Sequence, residues 1–247
     1  MIDLHTHILP GIDDGAKNSR TSIEMLCREV EQGVDTVVLT PHFYRDRESP
    51  EHFLARRRVS CAHLKQRLLE LPEEERSPLP RMLVGAEVAW VPNMTEWPEL
   101  PELCISGTQY LLLELPFHTW NDTMFYQIYD LMSMRGITPV IAHLERYMKI
   151  ESVSHIDNII SMGVPVQISA DTLLHPLHRR QVLRMLRKGE AQIVASDCHN
   201  LTNRPPNLAA AMQVVERKLG NDLAASIEQA ARRIVFARSS EGNYDDK

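Results

Sequence analysis

The sequence predicts one α/β domain in which parallel strands form a closed or distorted barrel. Short apolar runs alternate with stretches whose apolar residues recur at helical spacing along the whole chain. Strands that alternate with helices in this way form parallel sheets. The 247 residues contain no Gly/Ser-rich linker, and this length is common for one α/β barrel. We therefore expect a single domain over residues 1–238 and a polar, disordered tail over residues 239–247.

Seven strand–helix units are predicted in order along the chain. The strand candidates are residues 2–9, 36–40, 82–88, 110–115, 139–142, 165–168 and 192–195. The helix candidates are residues 19–33, 51–71, 122–135, 152–162, 175–188, 207–219 and 221–236. Asn18 and Asn121 precede two of these helices, where an N-cap is expected. Gly136 and Gly189 follow two of them, where a C-terminal cap is expected. Seven units without a dinucleotide-binding glycine motif favour a barrel over an open sheet.

Charge and composition narrow the classes of function. The net charge is -6, whereas a dedicated nucleic-acid binder is more often basic, so we expect no nucleic-acid partner. The basic run at 56–58 lies among acidic residues and is typical of a solvated helix face. No apolar stretch approaches the length of a membrane span, and Met1 is not followed by the pattern of a signal peptide. The four cysteines show no CxxC spacing, which favours free thiols in a cytoplasmic protein.

Histidines and carboxylates recur at the predicted strand ends. His5 and His7 lie two residues apart in the first strand, so alternation directs both to the same face. Asp197 and His199 form a second pair of this kind just beyond the seventh strand. Five further candidates lie at other strand ends or in the first loop: Asp14, His42, Glu87, Glu114 and His143. The strand ends of a parallel barrel meet around one mouth, where active sites are built.

One such residue alone is as consistent with a hydrogen-bonded core position as with a metal ligand. Recurrence at six strand ends favours ligation, because four clustered carboxylates repel one another unless cations neutralise them. Nine ligands of this kind predict two or three ions, and imidazole with carboxylate suits manganese, iron or zinc.

Several motifs resemble the PHP (polymerase and histidinol phosphatase) superfamily. They are His5-Thr6-His7 with Asp13-Asp14-Gly15, Thr40-Pro41-His42, and the strand-end Glu87. Residues 136–147 (GITPVIAHLERY) and 195–206 (ASDCHNLTNRPP) are similar, more narrowly, to the bacterial tyrosine-protein phosphatases of that superfamily. Those enzymes serve capsule and exopolysaccharide synthesis. The resemblance extends from Met1 to about Phe236.

The resemblance implies a distorted (β/α)7 barrel of the PHP type that holds three metal ions. It divides the nine candidates among the ions as follows: His5, His7, Glu87 and Asp197 at the first; Glu87 as a bridge, with Glu114 and His143, at the second; Asp14, His42 and His199 at the third. Manganese is the usual active ion in such relatives, although this ligand set also admits iron or zinc. The implied substrate is phosphotyrosine on the C-terminal tail of a bacterial tyrosine kinase.

Two arginines complete the predicted active site. Arg146 lies three residues after His143, and Arg204 lies five residues after His199. A guanidinium matches the oxygens of a phosphoryl group, while metal ions activate water as a nucleophile. We therefore expect a metal-dependent phosphomonoesterase with Arg146 and Arg204 as catalytic residues. The alternative is that either arginine pairs with a surface acid such as Glu145.

Three other mechanisms or substrates compete with this interpretation. Cys61 and Cys198 each lie six residues before an arginine, which is the spacing of cysteine-dependent tyrosine phosphatases. Cys61 falls within a helical pattern, and the loop after Cys198 has no glycine to cradle a phosphate, so neither is expected to be a nucleophile. Within the same superfamily, a phosphatase of the histidinol-phosphate type is the nearer alternative. An exonuclease is disfavoured, because it needs a basic stripe for the nucleic-acid backbone.

Substrate specificity is expected to lie in the loops 43–50 and 117–122. Their aromatic residues are Phe43, Tyr44, Phe117 and Trp120. These rings either flank an aromatic leaving group or pack the rim of the barrel, and the sequence leaves both alternatives open, as it does the oligomeric state.

Overall fold

The computed structural model describes residues 1–72 and 78–237. The predicted tail at 239–247, and residue 238 of the predicted domain, lie outside the described residues. In the described part the strands are β1 (Ile2–Thr6), β2 (Thr36–Leu39), β3 (His42–Phe43), β4 (Arg81–Val84), β5 (Glu87–Ala89), β6 (Tyr110–Glu114), β7 (Thr138–Ile141), β8 (Gln167–Ser169) and β9 (Ile193–Ala195).

Helices separate most of these strands. They are α1 (Ser19–Glu31), α2 (Pro50–Leu69), α3 (Leu100–Leu103), α4 (Asp122–Arg135), α5 (Val153–Ser161), α6 (Ala170–Leu174), α7 (Arg179–Lys188), α8 (Leu208–Leu219) and α9 (Asn221–Val235). Two 3₁₀ helices, Met94–Glu96 and Leu144–Lys149, were not predicted. Among the described helices, none combines the length and the apolar character needed to cross a bilayer.

The described strands pair in three parallel sheets. Their orders are β1-β2-β4, β3-β5-β6-β7 and β8-β9. Single bridges connect the sheet edges: Thr6 pairs with Cys198 just beyond β9, and Ile141 at the end of β7 pairs with Val166 just before β8. The predicted α/β class with parallel strands is therefore confirmed.

Three predicted elements are divided or shortened. The candidate 82–88 splits into β4 and β5, separated by Gly85 and Ala86. The amide of Gly85 donates a hydrogen bond to the carbonyl of Leu39, and the amide of Glu87 donates one to the carbonyl of Pro41. The candidate 2–9 ends at Thr6. The candidate 175–188 begins only at Arg179, because the residue before Pro176 is extended, as proline requires of its neighbour.

The predicted helix caps are present. The side chain of Asn18 accepts a hydrogen bond from the amide of Thr21, and that of Asn121 accepts one from the amide of Met124. Gly136 has a φ of 62° at the end of α4, which is the left-handed conformation expected of a C-terminal cap.

The prediction that the basic run at 56–58 is a solvated face is wrong for two of its three residues, while Arg58 is exposed. Arg56 and Arg57 in α2 are not a solvated face, because both are partly buried and bind backbone carbonyls. Arg56 donates to Ile12 at 2.7 Å, and Arg57 donates to Gly85 at 2.7 Å and to Glu102 at 2.8 Å. These arginines tie α2 to the loops that follow β1 and β4.

A small apolar cluster lies on the same strand faces as the polar candidates. It includes Leu112 in β6, Ala195 in β9 and Ile234 in α9. Glu114 follows Leu112 by two residues within β6, so alternation directs its carboxylate to the same side, whereas Asp197 lies just beyond the end of β9. The apolar residues support the strands from one end, and the polar ones gather at the carboxyl ends.

Candidate active site

All nine predicted ligands lie in one region at the carboxyl ends of the strands. Seven are buried in the described structure: His5, His7, Glu87, Glu114, His143, Asp197 and His199. His42 is partly exposed, and Asp14 is exposed in the loop after β1. The site is therefore closed on the side of the sheet and open on the side of this loop.

The pairing of β1 is irregular beside the histidine pair, of which His5 lies in β1 and His7 follows its end. The pairing of β1 with β2 shifts register between Asp3 and Thr6. Leu4 belongs to the small apolar cluster, whereas the adjacent His5 belongs to the polar site. A bulge in a strand redirects the side chains that follow it, and bulges are common beside active sites.

Glu87 lies at the centre of the polar cluster. Its Oε2 atom is 3.1 Å from Nε2 of His5 and 3.3 Å from Nε2 of His7. The same oxygen is 2.8 Å from Nδ1 of His42, while Oε1 is 2.9 Å from Nε2 of His143. One carboxylate thus contacts four imidazoles, and both kinds of group are ordinary ligands of a divalent cation.

Three groups of side chains have ligand atoms within 4.8 Å of one another. They are His5, His7 and Glu87; His42, Glu87 and Glu114; and His7, Asp14, His42 and His199. The first and third correspond closely to two of the three ligand sets that the resemblance implies. In the second, His42 takes the place expected of His143, although Nε2 of His143 is also 3.6 Å from Glu114.

Several ligand atoms lack hydrogen-bond partners in the described structure. Glu87 Oε2, Asp197 Oδ1 and His199 Nε2 are buried, and the charged or imidazole groups near them do not lie in hydrogen-bond geometry. Buried polar atoms are normally satisfied, so three unsatisfied acceptor positions in one cluster need another partner. A divalent cation fits this donor set, because imidazole nitrogen and carboxylate oxygen are its ordinary ligands.

The electrostatics of the cluster favour the metal-binding protonation state at some ligands only. Against the opposing effect of burial, the neighbouring carboxylates raise the pKa values of His5 and His7, so a cation must displace a proton from these two rings. Burial and the nearby charge of His7 lower the pKa of His199 to about 3, and burial lowers the pKa of His143 to about 4. These imidazoles therefore stay neutral near pH 7. Against the opposing effect of burial, His5 holds the pKa of Glu87 well below its usual range. Burial and the charge of Glu87 raise the pKa of Glu114 to about 7.

Two candidate ligands have left-handed backbones, which are uncommon outside glycine. His143 has a φ of 34° and Asp197 a φ of 56°. Such conformations cost about 1–3 kcal/mol and are concentrated at functional sites. The amide of His143 is fixed by a hydrogen bond to Oε1 of Gln167 at 2.8 Å, and that oxygen also lies 3.3 Å from Nδ1 of His5.

Sequence reasoning missed the part played by Asp13. Its Oδ2 atom is 2.7 Å from Nδ1 of His7 and accepts a hydrogen bond from the amide of His42 at 3.0 Å. Although burial acts in the opposite direction, the interaction with His7 lowers the pKa of Asp13 to about 2. A carboxylate bound to the outer nitrogen of a histidine orients that ring toward a metal. The signal was available, because Asp13 stands beside Asp14 in the motif.

The two predicted arginines converge on one carboxylate oxygen. Nη2 of Arg204 is 2.6 Å from Oδ2 of Asp197, and Nη2 of Arg146 contacts the same oxygen. Arg146 pairs with Asp197 and not with Glu145, whose Oε1 accepts hydrogen bonds from Ser169 and Thr172. Each arginine side chain is about one-third exposed, so an anion at the mouth of the site can reach both.

The four loop aromatics divide into two kinds. Phe43 and Trp120 are buried, so these two rings pack the interior. Tyr44 places its hydroxyl 3.2 Å from Nδ1 of His42, and Phe117 is 55% exposed with its ring stacked 6.1 Å from His143. A cavity of about 560 Å³ adjoins Tyr44. Only the latter two rings are therefore placed to meet a substrate.

The geometry excludes the cysteine mechanism. Cys198 is fully buried, and its Sγ donates to Oε1 of Glu29 in α1 at 3.6 Å. Burial and the charge of Glu29 hold the pKa of the Cys198 thiol well above its usual range. Cys61 lies within α2, as predicted. A neutral, buried thiol cannot serve as the nucleophile.

Known proteins resemble the chain over nearly its whole length. The model of the family described as capsular polysaccharide synthesis, CpsB/CapC, matches residues 1–235. Tyrosine-protein phosphatase YwqE of Bacillus subtilis (strain 168) is 32% identical over 245 residues, which cover 95% of this chain and 91% of that protein. Tyrosine-protein phosphatase CpsB of Streptococcus agalactiae serotype III (strain NEM316) is 30% identical over 236 residues, which cover 91% and 93%.

A solved structure is also similar. It is described as one of YwqE from Bacillus subtilis and CpsB from Streptococcus pneumoniae, "unique metal-dependent tyrosine phosphatases". The match has a TM-score of 0.83 at 28% sequence identity and covers 97% of this chain and 96% of the other.

Proposed function

Because the chain belongs to the CpsB/CapC family of capsular polysaccharide synthesis, we propose that it is a metal-dependent protein-tyrosine phosphatase. One observation of the site carries the proposal. Glu87 gathers four histidines around one carboxylate, and two arginines meet at the adjacent Asp197. A cation centre beside a paired guanidinium site is suited to hydrolysis of a phosphomonoester.

The fold that we propose is a distorted (β/α)7 barrel of the PHP type. Counting β2 with β3 and β4 with β5 as interrupted runs gives seven parallel runs in chain order. The bridges Thr6–Cys198 and Ile141–Val166 join the edges of the three sheets and support a ring. The interruptions at Thr40-Pro41 and Gly85-Ala86 account for the distortion.

We propose that the nine strand-end residues hold two or three ions, with manganese as the active metal. Glu87 would bridge two ions, and Asp14, His42 and His199 would hold the outermost. When bound, the ions lower the pKa of water and supply the nucleophile for attack on phosphorus. Asp13 holds the ring of His7 in the orientation that this requires.

The arginines are proposed to bind the phosphoryl oxygens. Arg146 and Arg204 both reach Oδ2 of Asp197, so their guanidinium groups lie close together with like charge. An incoming phosphate offers them additional acceptors and is held in a fixed orientation. The pair then stabilises the negative charge that develops during transfer.

We propose phosphotyrosine on a protein as the substrate, specifically on the tail of a bacterial tyrosine kinase. The names of the relatives support the class of substrate. Phe117 and Tyr44 are placed to border an aromatic leaving group, and the site opens toward the loop that carries Asp14. All four cysteines are free, which is consistent with a reducing compartment and with the cytoplasmic location that we propose.

The substrate can be tested with one metal-loaded preparation. We expect a phosphotyrosine peptide to be hydrolysed with much higher kcat/KM than the matching phosphoserine peptide or histidinol phosphate. A higher kcat/KM for histidinol phosphate would replace the protein substrate with a metabolite. Equal rates for the two peptides would show that Tyr44 and Phe117 do not recognise an aromatic leaving group.

A further inference from the structure

Helix α7 is strongly basic in an acidic protein. Its ten residues include no carboxylate and five basic side chains: Arg179, Arg180, Arg184, Arg187 and Lys188. The chain as a whole carries a net charge of -6. A surface helix that needs only solubility usually mixes both signs, because pairs at i and i+4 stabilise it. The concentration of one sign is therefore a feature to be explained.

Three of these arginines form one exposed face. Arg180, Arg184 and Arg187 recur at intervals of four and three residues, so they share one side of the helix. All three are exposed and, with Leu177 and Gln181, line a groove of about 620 Å³. We call these five residues the α7 groove. Leu177 is 82% exposed, so the groove offers an apolar contact beside the charges.

No protein carboxylate neutralises this face within residues 1–72 and 78–237. None lies within ion-pairing distance of Arg180, Arg184 or Arg187, whereas Lys188 at the end of the same helix pairs with Glu190 at 3.0 Å. Adjacent like charges repel one another and attract anions from solution. The groove is thus complementary to a polyanion.

The groove also adjoins the 3₁₀ helix that carries Arg146. Nε2 of Gln181 donates to Sδ of Met148 at 3.3 Å, and the charge of Lys149 lowers the pKa of His178. Met148 and Lys149 belong to the 3₁₀ helix that carries Arg146. The basic surface therefore begins at the element that supplies one of the two phosphate arginines.

We propose that the α7 groove binds an acidic segment of the protein substrate that flanks the phosphotyrosine. The inference rests on the proposed function and extends it from the scissile phosphate to the neighbouring sequence. Helix α7, with its 10 residues, is about 15 Å long, which matches about five residues of an extended peptide. Several acidic side chains can therefore meet the three arginines, with the phosphotyrosine at Arg146.

The test compares two peptides, each with one phosphotyrosine. The residues that flank the phosphotyrosine are rich in glutamate in the first peptide and carry glutamine at the same positions in the second. The variant is R180Q/R184Q/R187Q. The matched control is R217Q/K218Q/R233Q, which removes three exposed basic residues from α8 and α9. Hydrolysis of a small aryl phosphate reports on the catalytic site alone.

For the wild type at low salt, we expect a KM about tenfold lower for the acidic peptide, with equal kcat. The α7 variant should lose this preference and keep its kcat and its aryl phosphatase activity. The control should keep the preference, and high salt should remove it from both. Fluorescence anisotropy with an acidic peptide that lacks phosphotyrosine should show the same loss of binding in the α7 variant, without turnover.

Three results would overturn the inference. The first is equal KM values of the wild type for the two peptides, and the second is an α7 variant that retains the preference. The third is that the α7 variant loses binding to anionic vesicles that the wild type shows, while the wild type hydrolyses the two peptides equally well. Failure of the proposed function is a different result, in which aryl phosphate is hydrolysed and neither phosphotyrosine peptide is.

Discussion

Gly15 is the position where one added methyl group tests how the site is built. Gly15 is buried, and it packs against the backbone of His7. A Cβ atom at this position would lie 2.1 Å from the carbonyl oxygen of His7, 2.5 Å from its Cβ and 2.9 Å from Oδ1 of Asp13. All three atoms belong to the pair that orients His7 toward the proposed metals. The substitution Gly15→Ala therefore acts on the site without removing a ligand.

The size of the effect follows from these distances. Real Cβ contacts essentially never fall below 3.0 Å, so the loop has to move by about 1 Å. Nε2 of His7 lies 3.3 Å from Glu87 and 3.4 Å from Asp197, and such a shift disturbs both contacts. A displacement of about 1 Å at a catalytic group lowers kcat/KM by about 100-fold, or about 2.7 kcal/mol. Overpacking adds a loss of stability of about 1–3 kcal/mol.

Gly85→Ala is the matched control. A Cβ at Gly85 would lie 3.5 Å from Ile105 and 3.6 Å from Thr40, which are ordinary contacts. Gly85 is suitable as a control because it, too, lies close in the chain to a candidate ligand, Glu87. The assay is kcat/KM for an aryl phosphate, with bound metal determined by elemental analysis and folding by thermal denaturation. If Gly15→Ala matches Gly85→Ala in kcat/KM and metal content, the close approach of the loop does not position His7.

Four further substitutions separate the roles within the site. Arg146→Gln or Arg204→Gln should each lower kcat/KM by a factor of about 10²–10³ and leave the metal content unchanged. The double variant should lose less than the product of the two single losses, because both arginines bind one phosphoryl group. Loss of metal from either arginine variant would contradict the assignment of these residues to phosphate binding. Asp13→Asn should weaken metal binding by about 10–100-fold in a titration, since it releases the ring of His7; unchanged affinity would make Asp13 a structural residue only. Cys198→Ala should retain most turnover, and abolished activity in a folded, metal-loaded variant would restore the cysteine mechanism.

The general position of the candidate ligands could be predicted because topology determines it. In a parallel fold, a polar residue at the carboxyl end of any strand faces the same region. Glu114 needed only alternation from apolar Leu112 to be placed there. The class of fold followed from the same alternation of strands and helices.

The contacts between neighbours could not be predicted in this way. The bulge in β1 and the left-handed backbones of His143 and Asp197 leave no distinct pattern in the sequence. The basic run at 56–58 was misread, because only the tertiary structure shows that Arg57 binds the carbonyl of Gly85. Secondary-structure propensity describes one element at a time, whereas each of these features depends on contacts between two elements.

The loop aromatics show the same limit. Phe43 and Tyr44 are adjacent, yet Phe43 packs in the core while Tyr44 faces His42. Alternation predicts that neighbours in a strand diverge, but only the position of the sheet decides which of them meets the site.

We propose that metal ions held by Glu87 and the eight other candidate ligands are required for hydrolysis of phosphotyrosine. The most direct measurement is phosphate release from a phosphotyrosine peptide by one preparation before chelation, after exhaustive chelation, and after addition of manganese, with bound metal counted at each stage. We expect activity to disappear with the metal and to return as at least two ions rebind, because the ions supply the nucleophile. Full activity in a preparation shown by elemental analysis to be free of metal would contradict the account.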